Sequence, residues 1–306
     1  MDLRRLVWLA VPLVALVELG LHAYSATRAP GPESWSELRG AVERVAQPGD
    51  RVVVAPAWAE PLARQALGER WMPLADVARV DLASDRNVLE LSLLGESAPE
   101  LASFPELARG ESAGFRLRRL QNPAYQPALF RFADHVRPPA LSVAERWHDA
   151  ERACPFTQNA RPSTGGLPGH VAYPRARFRC RGPESFFVGV TVVDDQRFRP
   201  RRCIFAHPID GGVLVLRFAD VPLGAALQGS GGTSYLIARD GVGTPVELAA
   251  FVDGREVGRS LHRDEDGFRS FRFALDGPRA ERAEVRFEIR SDQAREREFC
   301  FEAEMR

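Results

Sequence analysis

The sequence predicts an α+β protein: an N-terminal membrane helix, a small α/β domain, then an all-β antiparallel sandwich of jelly-roll type. Three observations carry that prediction. From Leu141 onward, short apolar stretches recur between Gly, Pro and Asp punctuation, about ten strands in some 165 residues. Between residues 30 and 122, helical patterns alternate with short apolar strands instead. Ahead of both, the first 25 residues carry an apolar run, Leu6 to Val17, behind two arginines.

The chain has 306 residues, enough for two domains. At 45% hydrophobic and 27% charged residues, it is composed as a globular protein. Acidic and basic residues balance at 41 each. No net field therefore recruits nucleic acid. Every basic residue is arginine, interleaved with Asp and Glu rather than gathered into a stripe.

At the N-terminus, Arg4 and Arg5 precede the apolar run Leu6 to Val17, Glu18 interrupts it, and Leu19 to Leu21 resume. The pattern is that of an export segment, with Ala23-Tyr24-Ser25 as a cleavage site if it is removed. We expect a retained signal anchor over residues 1–25. Its arginines would hold the N-terminus in the cytoplasm, so that the segment crosses the inner (cytoplasmic) membrane in a single pass and the bulk of the chain is periplasmic.

The turn Ala29-Pro30-Gly31-Pro32 follows. Ser34 with Glu37 reads as a capping box for a helix running to Ala46. Gln47-Pro48-Gly49-Asp50 stops it, and Arg51–Ala55 reads as a buried strand. Pro61 opens a second helix through Leu67. Strands are expected at Asn87–Leu94 and Gly114–Leu120, with a helical piece over Pro99–Ala108 between them. No G-x-G-x-x-G follows the Arg51–Ala55 strand, and G-x-x-x-x-G-K-[ST] cannot occur without lysine. A bound nucleotide is therefore not expected.

Residues 123–140 carry Pro123, Pro127, Pro138 and Pro139, with Tyr125, Phe130 and Phe132 between them. This is an extended linker whose aromatic residues pack on a neighbouring domain. The sandwich is expected over 141–306. Strands fall near 141–147, 171–180, 185–193, 202–206, 213–218, 234–239, 246–252, 268–274, 283–290 and 298–303. Within 283–290, Val285, Phe287 and Ile289 alternate with Glu284, Arg286 and Glu288, one dry face and one wet. Asp253-Gly254 marks a tight hairpin. Gln228-Gly229-Ser230-Gly231-Gly232 reads as a glycine-rich loop.

Two resemblances follow from these patterns. The stretch WSELRGAVERVAQPGDRVVVAPAW, with the later GFRLRRL, resembles the extracytoplasmic α/β tail of multi-spanning, lipid-linked-sugar glycosyltransferases over residues 20–122. That resemblance implies an accessory role beside such an enzyme and transfers no catalytic residue. The strand layout of residues 141–306 resembles galactose-binding-like and carbohydrate-binding jelly rolls, which implies a glycan ligand.

Cys154, Cys180, Cys203 and Cys300 all lie in the sandwich. An even count in an exported domain implies two disulfides, with three connectivities open. We expect Cys180 with Cys203 and Cys154 with Cys300. The rival is a metal site on Cys203-x-x-x-His207. His262-Arg263-Asp264-Glu265-Asp266-Gly267 suggests structural Ca²⁺ on Asp264 and Asp266, against a plain acidic turn; Asp194-Asp195 offers the same pair of readings. Trp147 and Tyr235 could stack on a sugar ring. No H-E-x-x-H or G-x-S-x-G occurs, and no catalytic residue is assigned. The expectation is a non-enzymatic, membrane-anchored envelope protein whose sandwich binds a glycan or a protein. The alternatives are a carbohydrate-active enzyme or a glycosyltransferase subunit.

Overall fold

The computed structural model describes residues 3–28, 30–73, 82–148, 150–163, 171–196, 198, 200–241, 243–276, 281–295 and 297–306. The chain divides into two compact units. The first comprises the chain up to Pro73 with Asp85–Tyr125, and the second is built mainly from Gln126–Arg306.

In the first unit, α1 spans Leu3–Arg28 with Pro12 inside it. Among the described residues no helix is long and apolar enough to cross a membrane. Helix α2 spans Pro32–Val45 and is capped by Gly31, so it starts ahead of the Ser34–Glu37 box. The physical reason is Pro32, whose missing N–H and fixed φ suit the first helical turn. Strand β1 (Arg51–Ala55) and helix α3 (Glu60–Leu67) follow where expected. Strand β2 (Asn87–Leu93) lies parallel to β1. The expected helix over Pro99–Ala108 is only a 3₁₀ turn at Pro99–Leu101. Its remainder enters β3 (Glu106–Ser112), which hairpins onto β4 (Phe115–Gln121). The sheet runs β1-β2-β4-β3. Leu38 and Val42 of α2, Ala63 and Leu67 of α3, and Leu89, Leu91 and Leu117 form its core.

The second unit is a two-sheet sandwich. In chain order it contains β5 (Phe130–Arg131), β6 (Leu141–Trp147), β7 (Ala150–Ala153), β8 (Phe156–Thr157), β9 (Arg177–Arg179), β10 (Phe187–Asp194), β11 (Pro200–Ala206), β12 (Val213–Pro222) and β13 (Ala226–Thr233). After helix α4 (Tyr235–Asp240) come β14 (Val246–Val252), β15 (Arg255–His262), β16 (Arg269–Ala274), β17 (Arg282–Arg290) and β18 (Phe299–Met305). One sheet runs β16-β13-β18-β11-β10-β9-β8, with β5 paired to β18. The other runs β15-β14-β17-β12-β6-β7. Every pairing within the sandwich is antiparallel.

Alternation decides which residues meet. Val285, Phe287 and Ile289 face Ile204, Phe299, Phe301 and Met305 in the core between the sheets. Phe132, from the Pro-rich stretch, packs edge-on against Phe218 and Phe287 in that core. The odd positions Cys203 and Phe205 of β11 take the other face. With Cys300, Phe187 and Val193 they form a second apolar cluster, against which Tyr173 and Phe268 pack.

Three expectations fail locally. Of the strand expected at 171–180 only β9 (Arg177–Arg179) forms. The expected strand at 234–239 is α4, which ends at Gly241 in the left-handed region (φ 59°). Glycine takes that conformation without steric penalty, which favours stopping a helix there. The glycine-rich 228–232 stretch is the middle of strand β13. Its glycines admit close neighbours: a Cβ on Gly232 would lie 2.7 Å from the Gly267 carbonyl oxygen and 2.9 Å from the Phe268 ring. Gly232→Ala is therefore expected to destabilise the sandwich by about 1–3 kcal/mol, the usual range for overpacking. A urea titration followed by circular dichroism checks this, and an unchanged midpoint would refute it.

Candidate functional site

The polar chemistry of the sandwich gathers around the β10–β11 connection, the start of α4, the turn at Asp264–Asp266 and the segment before β18. In the first of these, Arg201 donates from Nε and Nη2 to Asp195 Oδ2 at 3.1 and 3.0 Å. Both residues are buried. The Arg201 guanidinium lies 5.4 Å from the Phe268 ring, within cation–π range.

Phe268 follows the acidic turn. There Asp264 accepts from Arg297 Nη1 with both oxygens, at 2.8 and 3.0 Å, and from Thr233 Oγ1 at 3.1 Å. Arg297 is 1% exposed, so this ion pair is desolvated and depends on its geometry. Ser234 donates to Glu298 Oε2 at 2.6 Å, which ties the start of α4 to the segment before β18. Gln196 Nε2 reaches the Asp264 carbonyl oxygen at 3.4 Å. These contacts join all four segments.

On this framework sits an aromatic pair. Tyr235, the first residue of α4, packs against Phe198 with centroids 4.3 Å apart and planes at 45°. Phe198 is 66% exposed and holds φ at 55°. A large apolar ring displayed to water from a left-handed backbone is a costly arrangement, of a kind that collects at binding sites. The Phe198 backbone N–H donates to the Asp195 carbonyl oxygen at 2.9 Å, which fixes the ring to the segment that holds the buried Asp195–Arg201 pair.

The sequence-predicted residues distribute as follows. All four cysteines are disulfide-bonded, but as Cys154–Cys180 and Cys203–Cys300, not as expected. Register explains both. Strands β8 and β9 pair Phe156 with Phe178, and the same register continued outward sets Cys154 opposite Cys180. Strand β18 inserts beside β11, pairing Cys300 with Phe205 and bringing it diagonal to Cys203. The bond leaves Cys203 without a thiol, so the Cys203/His207 metal reading falls. His207 is buried, stacks on Phe186, and has Nδ1 2.7 Å from the Pro208 carbonyl oxygen. Burial lowers its pKa to about 4.

For calcium the donor set does not fit. The guanidinium of Arg297 occupies both oxygens of Asp264, and Asp266 turns to the Arg263 backbone N–H and to Arg269 at 3.9 Å. A cation would have to displace Arg297. Asp195 is held by Arg201, while Asp194 is exposed. Trp147 donates to the Asp210 carbonyl oxygen at 3.3 Å, apart from the Phe198–Tyr235 pair. Of the two aromatic residues expected to stack, Tyr235 joins the site. Phe198 and Arg297 were not foreseen. Arg297 pairs with an acid 33 residues away, which leaves no local spacing to read.

No family model matches the chain, and no curated protein matches it. Carbohydrate-binding modules occur among its structural neighbours. The CBM51 of a Clostridium perfringens GH95 protein, solved in complex with methyl-galactose, is 11% identical with a TM-score of 0.28; the match covers 38% of this chain and 81% of that one. The CBM51-2 and INT domains of Clostridium perfringens ZmpB match at 12% identity and TM-score 0.29, over 54% of this chain and 37% of theirs. The enzymatically active domain of the bacteriophage CBA120 tailspike protein 4 matches at 14% and 0.23, over 55% and 19%. At such scores the likenesses decide neither fold nor ligand, and the sandwich stands on its own strand pairings. The glycosyltransferase-tail resemblance of residues 20–122 gains no support from them.

Proposed function

We propose that this chain is an exported envelope protein whose sandwich binds a glycan, with Phe198 and Tyr235 as the stacking face. The exposed Phe198 ring, packed on the half-buried Tyr235 and tied through its backbone N–H to Asp195, is the observation that supports this most directly. A pyranose presents an apolar C–H face and a rim of hydroxyls, and the pair offers an aromatic face for the first. Neighbouring polar groups at the rim of the site serve the second. The disulfides fit an oxidising compartment.

The same proposal gives α1 the role of anchor in the cytoplasmic membrane, with the remainder on its outer side. Val11, Leu13, Val14, Leu16, Val17, Leu19, Leu21 and Tyr24 are 54–65% exposed along it, an arrangement that water disfavours. Retention of the chain in alkali-washed membranes tests the anchor, and release into the wash would refute it.

The glycan reading is tested by retention on a panel of immobilised polysaccharides, comparing the wild type with Phe198→Ala. Removal of the ring is expected to weaken binding about tenfold, the scale of one lost aromatic contact. Stability should move by no more than about 0.5 kcal/mol, because the ring is largely solvated. Folded wild-type protein that is retained on none of the panel, or equal retention of the two proteins, would overturn the reading.

A further inference from the structure

Glu145 is a buried acid in an unusual position. It lies on β6 with the parity of Leu141 and Val143, which face the core, and it is 1% exposed. Several other buried carboxylates among the described residues meet guanidinium groups: Glu90 with Arg118 at 2.6 Å, Asp264 with Arg297 at 2.8 Å, and Glu288 with Arg146 at 2.7 Å. Glu145 instead accepts the backbone N–H of Arg181 at 3.1 Å. A carboxylate oxygen of Glu145 and the sulfurs of Cys154 and Cys180 all lie within 4.8 Å of one another.

The two disulfides differ in access. Cys203 and Cys300 are 1% and 0% exposed. In the other bond Cys154 is 4% exposed, while Cys180 is only partly buried. A thiolate from solution therefore meets Cys180 first, and Cys154 is the sulfur that departs into the interior.

We propose that Glu145, Cys154 and Cys180 form a thiol–disulfide exchange site for a small thiol or dithiol, with Glu145 as the proton donor. The incoming thiolate attacks Cys180 Sγ and forms a mixed disulfide as the Cys154–Cys180 bond breaks. The electron pair of that bond leaves on Cys154 Sγ, which takes the proton of the Glu145 carboxyl. The products are a mixed disulfide at Cys180, a neutral Cys154 thiol and the Glu145 carboxylate. The reductant is the thiol itself. Without a donor, Cys154 would leave as a bare thiolate into an apolar surrounding, which raises its energy.

The surroundings keep the donor protonated over a wider range than an exposed acid. Burial raises the Glu145 pKa, opposed by the Arg181 N–H and by the charges of Arg152, its cross-strand partner on β7, and Arg181. As pH rises and Glu145 ionises, exchange counted per reductant thiolate should fall.

The test uses the full oxidised chain. It is exposed to reduced glutathione or dithiothreitol, quenched by alkylation, and each disulfide is followed by peptide mass spectrometry. In the wild type, Cys154–Cys180 is expected to open at least about tenfold faster than Cys203–Cys300. Glu145→Gln should slow the first bond about tenfold or more and leave the second unchanged, the scale of a lost general acid. It should also flatten the fall in rate per thiolate with pH. Two bonds that open together in the wild type, or a wild-type profile flat in pH, would overturn the proposal. Both readouts need only the native protein, so a variant that fails to fold cannot rescue the idea, and glycan binding does not enter either.

Discussion

Replacing Cys203 and Cys300 together by alanine is expected to cost the sandwich about 4–5 kcal/mol, more than replacing Cys154 and Cys180. In the chain-entropy model, a bridge spanning 97 residues removes about 4.7 kcal/mol of unfolded-state freedom, and one spanning 26 removes about 3.5. Topology adds to the difference. Strand β10 pairs with β11 from Val188–Ala206 to Asp194–Pro200, and β13 with β18 from Leu227–Met305 to Thr233–Phe299. Between those halves, β11 and β18 share the pairs Ile204–Phe301 and Phe205–Cys300. The Cys203–Cys300 bond therefore staples the two halves of the sheet where only two residue pairs join them. It also lies inside the second apolar cluster, so its loss leaves a cavity under Phe205 and Phe268. In a unit of this size the melting temperature should fall by roughly 10–20 °C. A thermal melt of the two double variants decides the matter. A smaller fall for Cys203→Ala/Cys300→Ala than for Cys154→Ala/Cys180→Ala would refute the ranking.

The misassigned disulfides show where the sequence stops being informative. The hairpin at Asp253-Gly254 was legible because its cause is local: both residues hold positive φ, 46° and 78°, and Asp-Gly accepts that geometry. The dry face of β17 was legible for a similar reason, since period-two alternation is written in consecutive residues. Sheet order is different. That β18, the last strand, inserts between β13 and β11 is decided by how two sheets share one core. The partner of Cys300 depends on that order alone. Helix α4 was missed on different grounds. Its Tyr235-Leu236-Ile237 run reads as β-prone, and Gly241 was the available stop signal. At the candidate site, Tyr235 was named from residue type, whereas Phe198 gains meaning only from its exposure beside Tyr235. Asp264 was read as a metal ligand because Arg297, distant in sequence, could not be seen to occupy it.

Acidification from pH 6.5 towards 4 is expected to weaken the sandwich steeply, with His207 and His262 responsible. Each is buried, at 4% and 1% exposure, and for each desolvation lowers the pKa from 6.5 to about 4. The ring of His207 has the Pro208 carbonyl oxygen beside it, and Asp210 and Arg297 act on its charge in opposite senses. His262 lies against the Phe299 ring, with Asp266 and Arg269 as its opposing charges. Above pH 6.5 both rings are neutral folded or unfolded, and stability is full. Between 6.5 and about 4 the unfolded chain binds protons that the folded one refuses, so stability falls by about 1.4 kcal/mol per pH unit for each ring. Below about 4 both states are protonated and the loss is complete, at about 3 kcal/mol per histidine. Glu145 acts in the opposite sense: its raised pKa means the folded state binds that proton first. Glu106, Glu151, Glu256 and Glu288, whose carboxyls arginine partners hold below the usual range, add to the loss near pH 4, so the clean quantity is a difference between proteins. Urea midpoints at pH 6.5, 5.5 and 4.5 for the wild type and His262→Asn supply it. The variant should lose stability less steeply by about one proton's worth, roughly 1.4 kcal/mol per pH unit. Parallel slopes for the two proteins would mean that His262 accepts its proton within the fold, and the burial argument for that ring would be wrong.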